Sequence, residues 1–274
     1  MANVTETRDH VDPRLHSGQQ RNLRYFDAVA PRYFDWYGQN TQGGVSFRLR
    51  RQRVMELFDK PGERVLDAGC GPGVFVDELV ARGCTYFGID HSSQMIAECQ
   101  TRYESVPNVH FSVARVEATG LPSQSMDAVI CVGVLERIED NDAVLAELAR
   151  VLRVGGTLIV THSNRVSPYF IWLDYVYRPI GAKVRHLLAT AMRRDRPPAS
   201  PRHVLQSGRG FAEQVRRHGC DVTDLEYSSY PLLLPPLDRL LPRAAAAITL
   251  RTEELRHHAL RGLGAVIILR ARRL

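Results

Sequence analysis

The chain has 274 residues and a mass of 30.9 kDa, enough for one large α/β domain or two small ones. Hydrophobic residues make up 44%, charged residues 24% and aromatics 8%, which excludes a disordered or fibrous chain. The formal charge of +6 is local, because residues 165–217 hold 11 basic and 3 acidic residues and the remainder is slightly acidic.

All basic residues except Lys60 and Lys183 are Arg, a bias that GC-rich coding produces as readily as nucleic-acid binding does. No apolar run approaches the ~18 residues that cross a bilayer, and the first twenty residues are polar with both charge signs. A cytoplasmic protein is the expectation. The five cysteines are scattered and form no CxxC pair, so reduced core thiols are expected rather than a zinc site or a disulfide frame.

Residues 1–20 read as a disordered leader. Residues 21–60 read as an N-terminal helical lid: an aromatic, Pro31-broken stretch from Arg21 to Asn40, then a helix over Val45–Phe58 that ends at Pro61-Gly62. Residues 61–274 form the main domain. Within it an alternation begins, with strands at Arg64–Ala68, Thr85–Ile89, Val109–Val113, Ala128–Val132 and Thr157–Thr161. Helices fall between them at Val74–Arg82, Ser93–Tyr103 and Asp142–Leu152. The last carries its apolar face at Val144, Leu148, Val151 and Leu152. Such spacing predicts an α/β fold, a doubly wound parallel sheet with helices on both faces. After Ser163 the rhythm breaks into two insertions, at about 165–205 and 230–262, around a helix at Phe211–His218 and a strand at Val222–Tyr227. A further helix is expected near Glu253–Leu260, and Ala265–Arg270 reads as the last strand.

The strongest motif is VLDAGCGPGVF, at Val65–Phe75. A strand ends at Asp67, and Gly69, Gly71 and Gly73 turn into a helix where a ligand lies against bare backbone. Dinucleotide enzymes space this turn as GxGxxG; here the third Gly comes one residue early. This GxGxG spacing resembles motif I of the class I S-adenosylmethionine-dependent methyltransferases, and the resemblance continues in order through residues 45–163. In GIDHSSQMI, Asp90 matches the acid that receives the ribose hydroxyls, a role for which a carboxylate's two oxygens suit it, with His91 and Met95 beside the adenosine. A helix N-cap is the competing reading for Asp90. Glu117 falls where the family has Asp for the adenine amino group, and Ala118 would offer its backbone N–H. Within the class, the likeness is greatest to the ubiquinone-pathway and natural-product O-methyltransferases. Arg48 resembles their Arg that contacts the methionine carboxylate, and Val132 their apolar contact after the fourth strand. Their E-x-x-E-H cluster, which resembles a divalent-metal site, is here Gly133, Glu136 and Arg137, so metal dependence is not expected.

The resemblance implies a Rossmann-like seven-stranded sheet with an antiparallel last strand, a helical lid and a cap insertion. It also implies methyl transfer from S-adenosylmethionine. The expected acceptor is an oxygen of a hydrophobic small molecule, phenolic, quinone-like or polyketide, in natural-product biosynthesis. C- or N-methylation, a catalytically silent S-adenosylmethionine-binding regulator, and RNA methylation stand as alternatives, although no nucleic-acid partner is expected. His162, at the carboxyl edge of the fifth strand, is the candidate general base, with a surface histidine as the other reading. Tyr25, Tyr33 and Trp36 are candidates for the lid and Arg137 and Tyr169 for the acceptor site. The apolar segments Tyr169–Tyr177 and Tyr230–Pro242, with the basic stretch Lys183–Arg202 between them, suit a cap over an amphiphilic acceptor or peripheral contact with an anionic membrane.

Overall fold

The computed structural model describes residues 17–59, 63–138, 140–181 and 203–274. Seven strands form one sheet: β1 (Arg64–Ala68), β2 (Thr85–Asp90), β3 (Val109–Val113), β4 (Met126–Cys131), β5 (Leu152–Ser163), β6 (Cys220–Ser228) and β7 (Val266–Arg273). Their order is β3-β2-β1-β4-β5-β7-β6. The first five pair in parallel, and β7 runs antiparallel between β5 and β6. Because β4 returns to the far side of β1, the chain reverses direction across the sheet there. In open α/β sheets ligands bind at such a reversal, outside the carboxyl ends of the strands.

Helices α1 (Ser17–Tyr33), α2 (Asp35–Gly38) and α3 (Gln42–Leu57) precede the sheet. Between the strands come α4 (Val76–Ala81), α5 (Ser93–Arg102), α6 (Asn141–Val151), α7 (Pro168–Trp172, continued by a π-turn to Tyr177) and α8 (Gly208–Arg217). Last come α9 (Leu237–Leu240) and α10 (Pro242–Thr252). Adjacent residues of β1 enter opposite cores, as the period of two requires. Leu66 packs with Val129, Leu148 and Phe211 on one face, and Val65 with Val54, Phe58 and Leu79 on the other. Helix α6 buries Val144, Leu145, Leu148 and Val151, and Asp140 caps it by accepting the Asp142 N–H at 3.1 Å.

Four expectations change, the first being β5, which starts at Leu152, five residues before the expected strand and on the residue expected to end α6. Residues 17–20, placed in the leader, are the first turn of α1, whereas 1–16 lie outside the described residues. Helix α3 belongs to the core rather than to a lid, since Val54, Met55, Leu57 and Phe58 pack beneath the sheet. The last helix lies at Pro242–Thr252, where Pro at the first turn and an alanine run favour it, and Glu253–His257 and Ala259–Leu263 are 3-10 turns. The basic stretch Lys183–Arg202 lies outside the described residues. No helix among the described residues is long and apolar enough to cross a membrane.

Candidate active site

The loop after β1 folds back on the end of β2. The N–H groups of Gly69 and Cys70 donate to the Ile89 carbonyl at 2.8 and 2.9 Å, and the Gly71 N–H donates to Asp90 Oδ2 at 2.9 Å. Gly69 has φ +78°, and a Cβ there would lie 2.2 Å from Val134 Cγ2, so the strand ends close on each other only over glycine. Gly71 differs: at φ +51°, an added Cβ would meet nothing within 4 Å, which leaves open space above bare backbone. Next to it, Asp90 Oδ1 accepts the Ser92 N–H at 2.8 Å. Each Asp90 oxygen thus holds one backbone donor and keeps capacity for another. Burial raises the Asp90 pKa, and the two backbone bonds oppose the rise.

Two further acids flank this point. Asp67 is 1% exposed and accepts the Tyr86 hydroxyl at 2.7 Å. Burial pushes its pKa up to about 7; the Tyr86 bond opposes the rise and the charge of Asp90 adds to it. Beyond β3, Glu117 pairs with Arg115, and both hydrogen bonds between them end on Oε1, the Nε one at 3.0 Å.

These groups line one cleft at the carboxyl edge, enclosing about 1050 Å³, part of it open to solvent. Asp67, Gly69, Gly71, Asp90, His91, Met95 and Glu117 line the side formed by β1, β2 and the loop after β3. Tyr33, Val132 and Arg137 line the side formed by α1 and the turn after β4, with Phe26, Tyr37 and Arg50. Helix α1 roofs both sides. Its Asp27 accepts the Ser92 hydroxyl at 2.5 Å, and its Asn22 donates to the Arg137 carbonyl at 2.9 Å.

Several expected residues lie outside the cleft lining. Arg48 donates to the carbonyls of Tyr37 and Gln39, at 2.5 and 2.9 Å, and so closes the α2–α3 turn. Two positions on a helix are about 200° apart, and it is Arg50 that enters the cleft. Its Nη1 lies 3.7 Å from Glu136 Oε1, and both side chains are buried. A cation bound by Glu136 would meet this guanidinium. Among the described residues no group of three or more His, Cys, Asp or Glu is placed to hold a metal. Gly73 serves packing: a Cβ would lie 2.9 Å from the Tyr103 ring, and its carbonyl accepts the Tyr103 hydroxyl at 3.1 Å. The Ala118 N–H is spent on the Arg115 carbonyl at 3.1 Å.

His162 is fully buried, with Nε2 3.1 Å from Asn141 Nδ2, Nδ1 3.2 Å from the Ser163 carbonyl and its ring 5.2 Å from that of Phe211. Burial lowers its pKa. It is packed inside the sheet–helix layer, not presented at its edge. Tyr25 packs edge-on against Phe26, and Trp36 lies tilted against Tyr33; Phe26 and Tyr33 line the cleft, and Tyr25 and Trp36 do not. Tyr169 stands in the outer cap, edge-on to Phe170. There Trp172 Nε1 donates to the Pro235 carbonyl at 2.8 Å, joining the two apolar segments. Gln19, Asn22, Phe26, Tyr37 and Arg50 were not anticipated. The spacing of Asn22, Phe26 and Tyr33 at i, i+4 and i+11 on one helix face is the signal that points to the first two.

Residues 66–160 match the family described as a methyltransferase domain. A ubiquinone biosynthesis O-methyltransferase of Xanthomonas campestris pv. campestris strain B100 is 30% identical over 174 residues, covering 61% of this chain and 72% of that protein. An uncharacterized 37.1 kDa protein in transposon TN4556 of Streptomyces fradiae is 29% identical over 156 residues. That match covers 56% of this chain and 45% of the other protein. The magnesium protoporphyrin IX methyltransferase of Synechocystis PCC 6803, solved with bound SAH, superposes with TM-score 0.58 at 19% identity, over 92% of this chain and 98% of that one. The family match and the 30% identical relative, not the sheet alone, place the chain in the class of S-adenosylmethionine-dependent methyltransferases. This chain belongs to the class I members of that class. Its cofactor is S-adenosylmethionine and its reaction is methyl transfer. The open cradle at Gly71, between the carboxylates of Asp67 and Asp90, fits that cofactor.

Proposed function

We propose that the protein methylates an oxygen of a planar, hydrophobic small molecule, phenolic, quinone-like or polyketide. The observation that carries this reading is the lining of one cleft by both the acids and glycine turn that suit the cofactor (Asp67, Gly69, Gly71, Asp90 and Glu117) and the rings of Phe26, Tyr33 and Tyr37 that suit an aromatic acceptor. Asp90 holds the ribose hydroxyls, Glu117 the adenine amino group through the oxygen that Arg115 leaves open, and Arg50 the carboxylate of the methionine end. His91, Met95 and Val132 line the walls, and Asp67 lies beneath the amino-acid end. The cofactor supplies an activated sulfonium methyl. The chain's own work is to hold the acceptor in line with it, to exclude water with Phe26, Tyr33 and Tyr37, and to fix charge around both.

The likeness to a ubiquinone biosynthesis O-methyltransferase supports oxygen as the target. The exposed side chains of Tyr175, Leu237 and Leu240 support an apolar acceptor delivered at the cap, and the neighbouring Arg239 and Arg243 support peripheral contact with an anionic membrane facing the cytoplasm. The test is mass-spectrometric screening of phenols, quinols and polyketides for the mass gain of one methylene, with the methylated atom located by fragmentation. Methylation on carbon or nitrogen would overturn the oxygen assignment. Donor binding without turnover across the panel would favour a silent binder.

A further inference from the structure

The loop that carries Glu117 is fastened to α6 by two charged residues of that helix. Glu147 and Arg150 stand three positions apart on α6, beside its buried apolar stripe. Glu147 Oε1 accepts the Thr119 N–H at 2.9 Å, the Thr119 hydroxyl at 2.7 Å and Arg150 Nη2 at 2.8 Å, and its Oε2 accepts Arg150 Nε at 2.7 Å. Arg150 reaches on to the loop. Its Nη2 donates to the Leu121 carbonyl at 2.7 Å and its Nη1 to Ser123 Oγ at 3.0 Å, while its own carbonyl accepts the Gln124 N–H at 2.9 Å. Thr119 is buried, so that end of the clamp is closed to water.

Glu117 lies two residues before Thr119. Its partner Arg115 belongs to the same loop and moves with it, so that pair sets no position relative to the cleft. The Ala118 N–H likewise closes within the turn, on the Arg115 carbonyl. Three ties hold the turn to the rest of the molecule: the Ala114 N–H on the Asp90 carbonyl at 3.0 Å before it, Val116 buried in the core within it, and Glu147 after it. The last of these closes the turn on its Thr119 side. Arg150 first, then the two Thr119 donors, hold the Glu147 carboxyl down to about 2 against the opposing effect of burial, so the clamp is ionised at any working pH.

We propose that Glu147, held by Arg150, is a positioning residue for the cofactor's base. It fixes the loop after β3 so that the Glu117 oxygen left open by Arg115 faces the adenine amino group, and it thereby sets a preference for adenine over a base that carries a carbonyl there. This inference rests on the methyl-transfer reading above and on adenine lying at Glu117. An amino group donates to a carboxylate oxygen, whereas the carbonyl of hypoxanthine in the same place would set lone pair against lone pair. Such rejection needs the carboxylate held in place, because a loop free to withdraw would escape the repulsion.

The test is calorimetry of the whole chain with S-adenosylhomocysteine and S-inosylhomocysteine, in which hypoxanthine replaces adenine. The native protein should prefer the adenine ligand by at least about tenfold. Glu147→Ala should erase most of that preference by weakening the adenine ligand, and Glu147→Gln, whose amide oxygen still accepts from Thr119, should restore part of it. In a Glu117→Gln background, adding Glu147→Ala should change the preference by less than about twofold, because the group it positions is gone. Equal weakening of both ligands by Glu147→Ala, an unchanged preference, or an effect that persists at full size without Glu117 would overturn the proposal. If Glu147→Ala fails to fold, Thr119→Val removes the hydroxyl bond, keeps the N–H bond and should cost about threefold of the preference; an unchanged preference there overturns the proposal equally. Failure of S-adenosylhomocysteine to bind the native protein would sink the methyl-transfer reading and this inference together. Binding by the native protein without a base preference sinks this inference and leaves methyl transfer standing.

Discussion

The Ser92 hydroxyl donates to Asp27 at 2.5 Å, and that bond ties the roof helix α1 to the turn that carries Asp90. Ser92 is also the N-cap of α5, accepting the Met95 N–H at 3.1 Å, while its own N–H holds Asp90 Oδ1 at 2.8 Å. One buried serine therefore sets the start of a helix, the orientation of the carboxylate proposed to hold the ribose diol, and the tie between roof and turn.

Asp27→Ala cuts the roof bond and leaves the cap intact. A hydrogen bond to a charged group contributes about 1.5–3 kcal/mol, so S-adenosylhomocysteine affinity should fall roughly tenfold. The melting temperature should move little, because the sheet core is untouched. Calorimetry of the variant checks this. Native affinity would show that α1 closes without the bond.

Arg50 and Arg48 should separate cleanly. Arg50→Lys keeps the charge opposite Glu136 but loses the fork, and should weaken S-adenosylhomocysteine by about ten- to a hundredfold. Adenosine, which lacks the amino-acid end, should bind the variant and the native protein alike. Arg48→Gln should leave both affinities within about twofold and lower stability slightly, since only the α2–α3 turn loses its two hydrogen bonds. An equal loss of adenosine affinity in Arg50→Lys would place Arg50 elsewhere than at the carboxylate.

The sheet was legible because most of its strands carry short apolar runs that alternate with helical patterns, β1 and β6 being bounded by Gly69 and Gly219. Asp67, Gly69, Gly71 and Asp90 were legible for a related reason: the turn chemistry that makes them a motif is local. Choosing Arg50 over Arg48 required the rotation of α3, which is fixed by Val45, Leu49 and Val54 packing on distant partners. His162 shows the same limit in a strand. Sequence places it at the carboxyl end of β5, but whether that end lies under a helix depends on α8, whose Phe211 covers the ring. The aromatic half of the cleft was harder still, because Tyr25, Tyr33 and Trp36 differ only in which face of the α1–α2 corner each one takes.

His162 should therefore matter to folding rather than to proton transfer. Truncation to Ala leaves a cavity under Phe211 and removes the partner of Asn141 Nδ2, which together cost about 2–4 kcal/mol. Urea denaturation should register that loss, while kcat per folded molecule stays within about threefold of native. A fall of kcat by roughly 10²-fold or more in fully folded variant would restore His162 as a general base.

The last expectation concerns Asp67 and pH. Its folded pKa is raised to about 7 by burial, while an unfolded aspartate titrates near ~3.9. Between those values the native protein binds the additional proton, so stability falls as pH rises through about 4 to 7 and then levels off. Asp67→Asn, whose amide oxygen still accepts the Tyr86 hydroxyl, should remove this slope, and denaturation at about pH 5 and about pH 8 measures it as a difference between the two proteins. Binding should couple to the same proton. An ammonium held beside Asp67 favours the carboxylate, so S-adenosylhomocysteine should bind more tightly as pH rises through about 7 and should release a proton below it. Calorimetry in two buffers of different ionisation enthalpy reads that proton directly. Proton uptake instead of release, or release that persists in Asp67→Asn, would separate Asp67 from the amino-acid end of the cofactor.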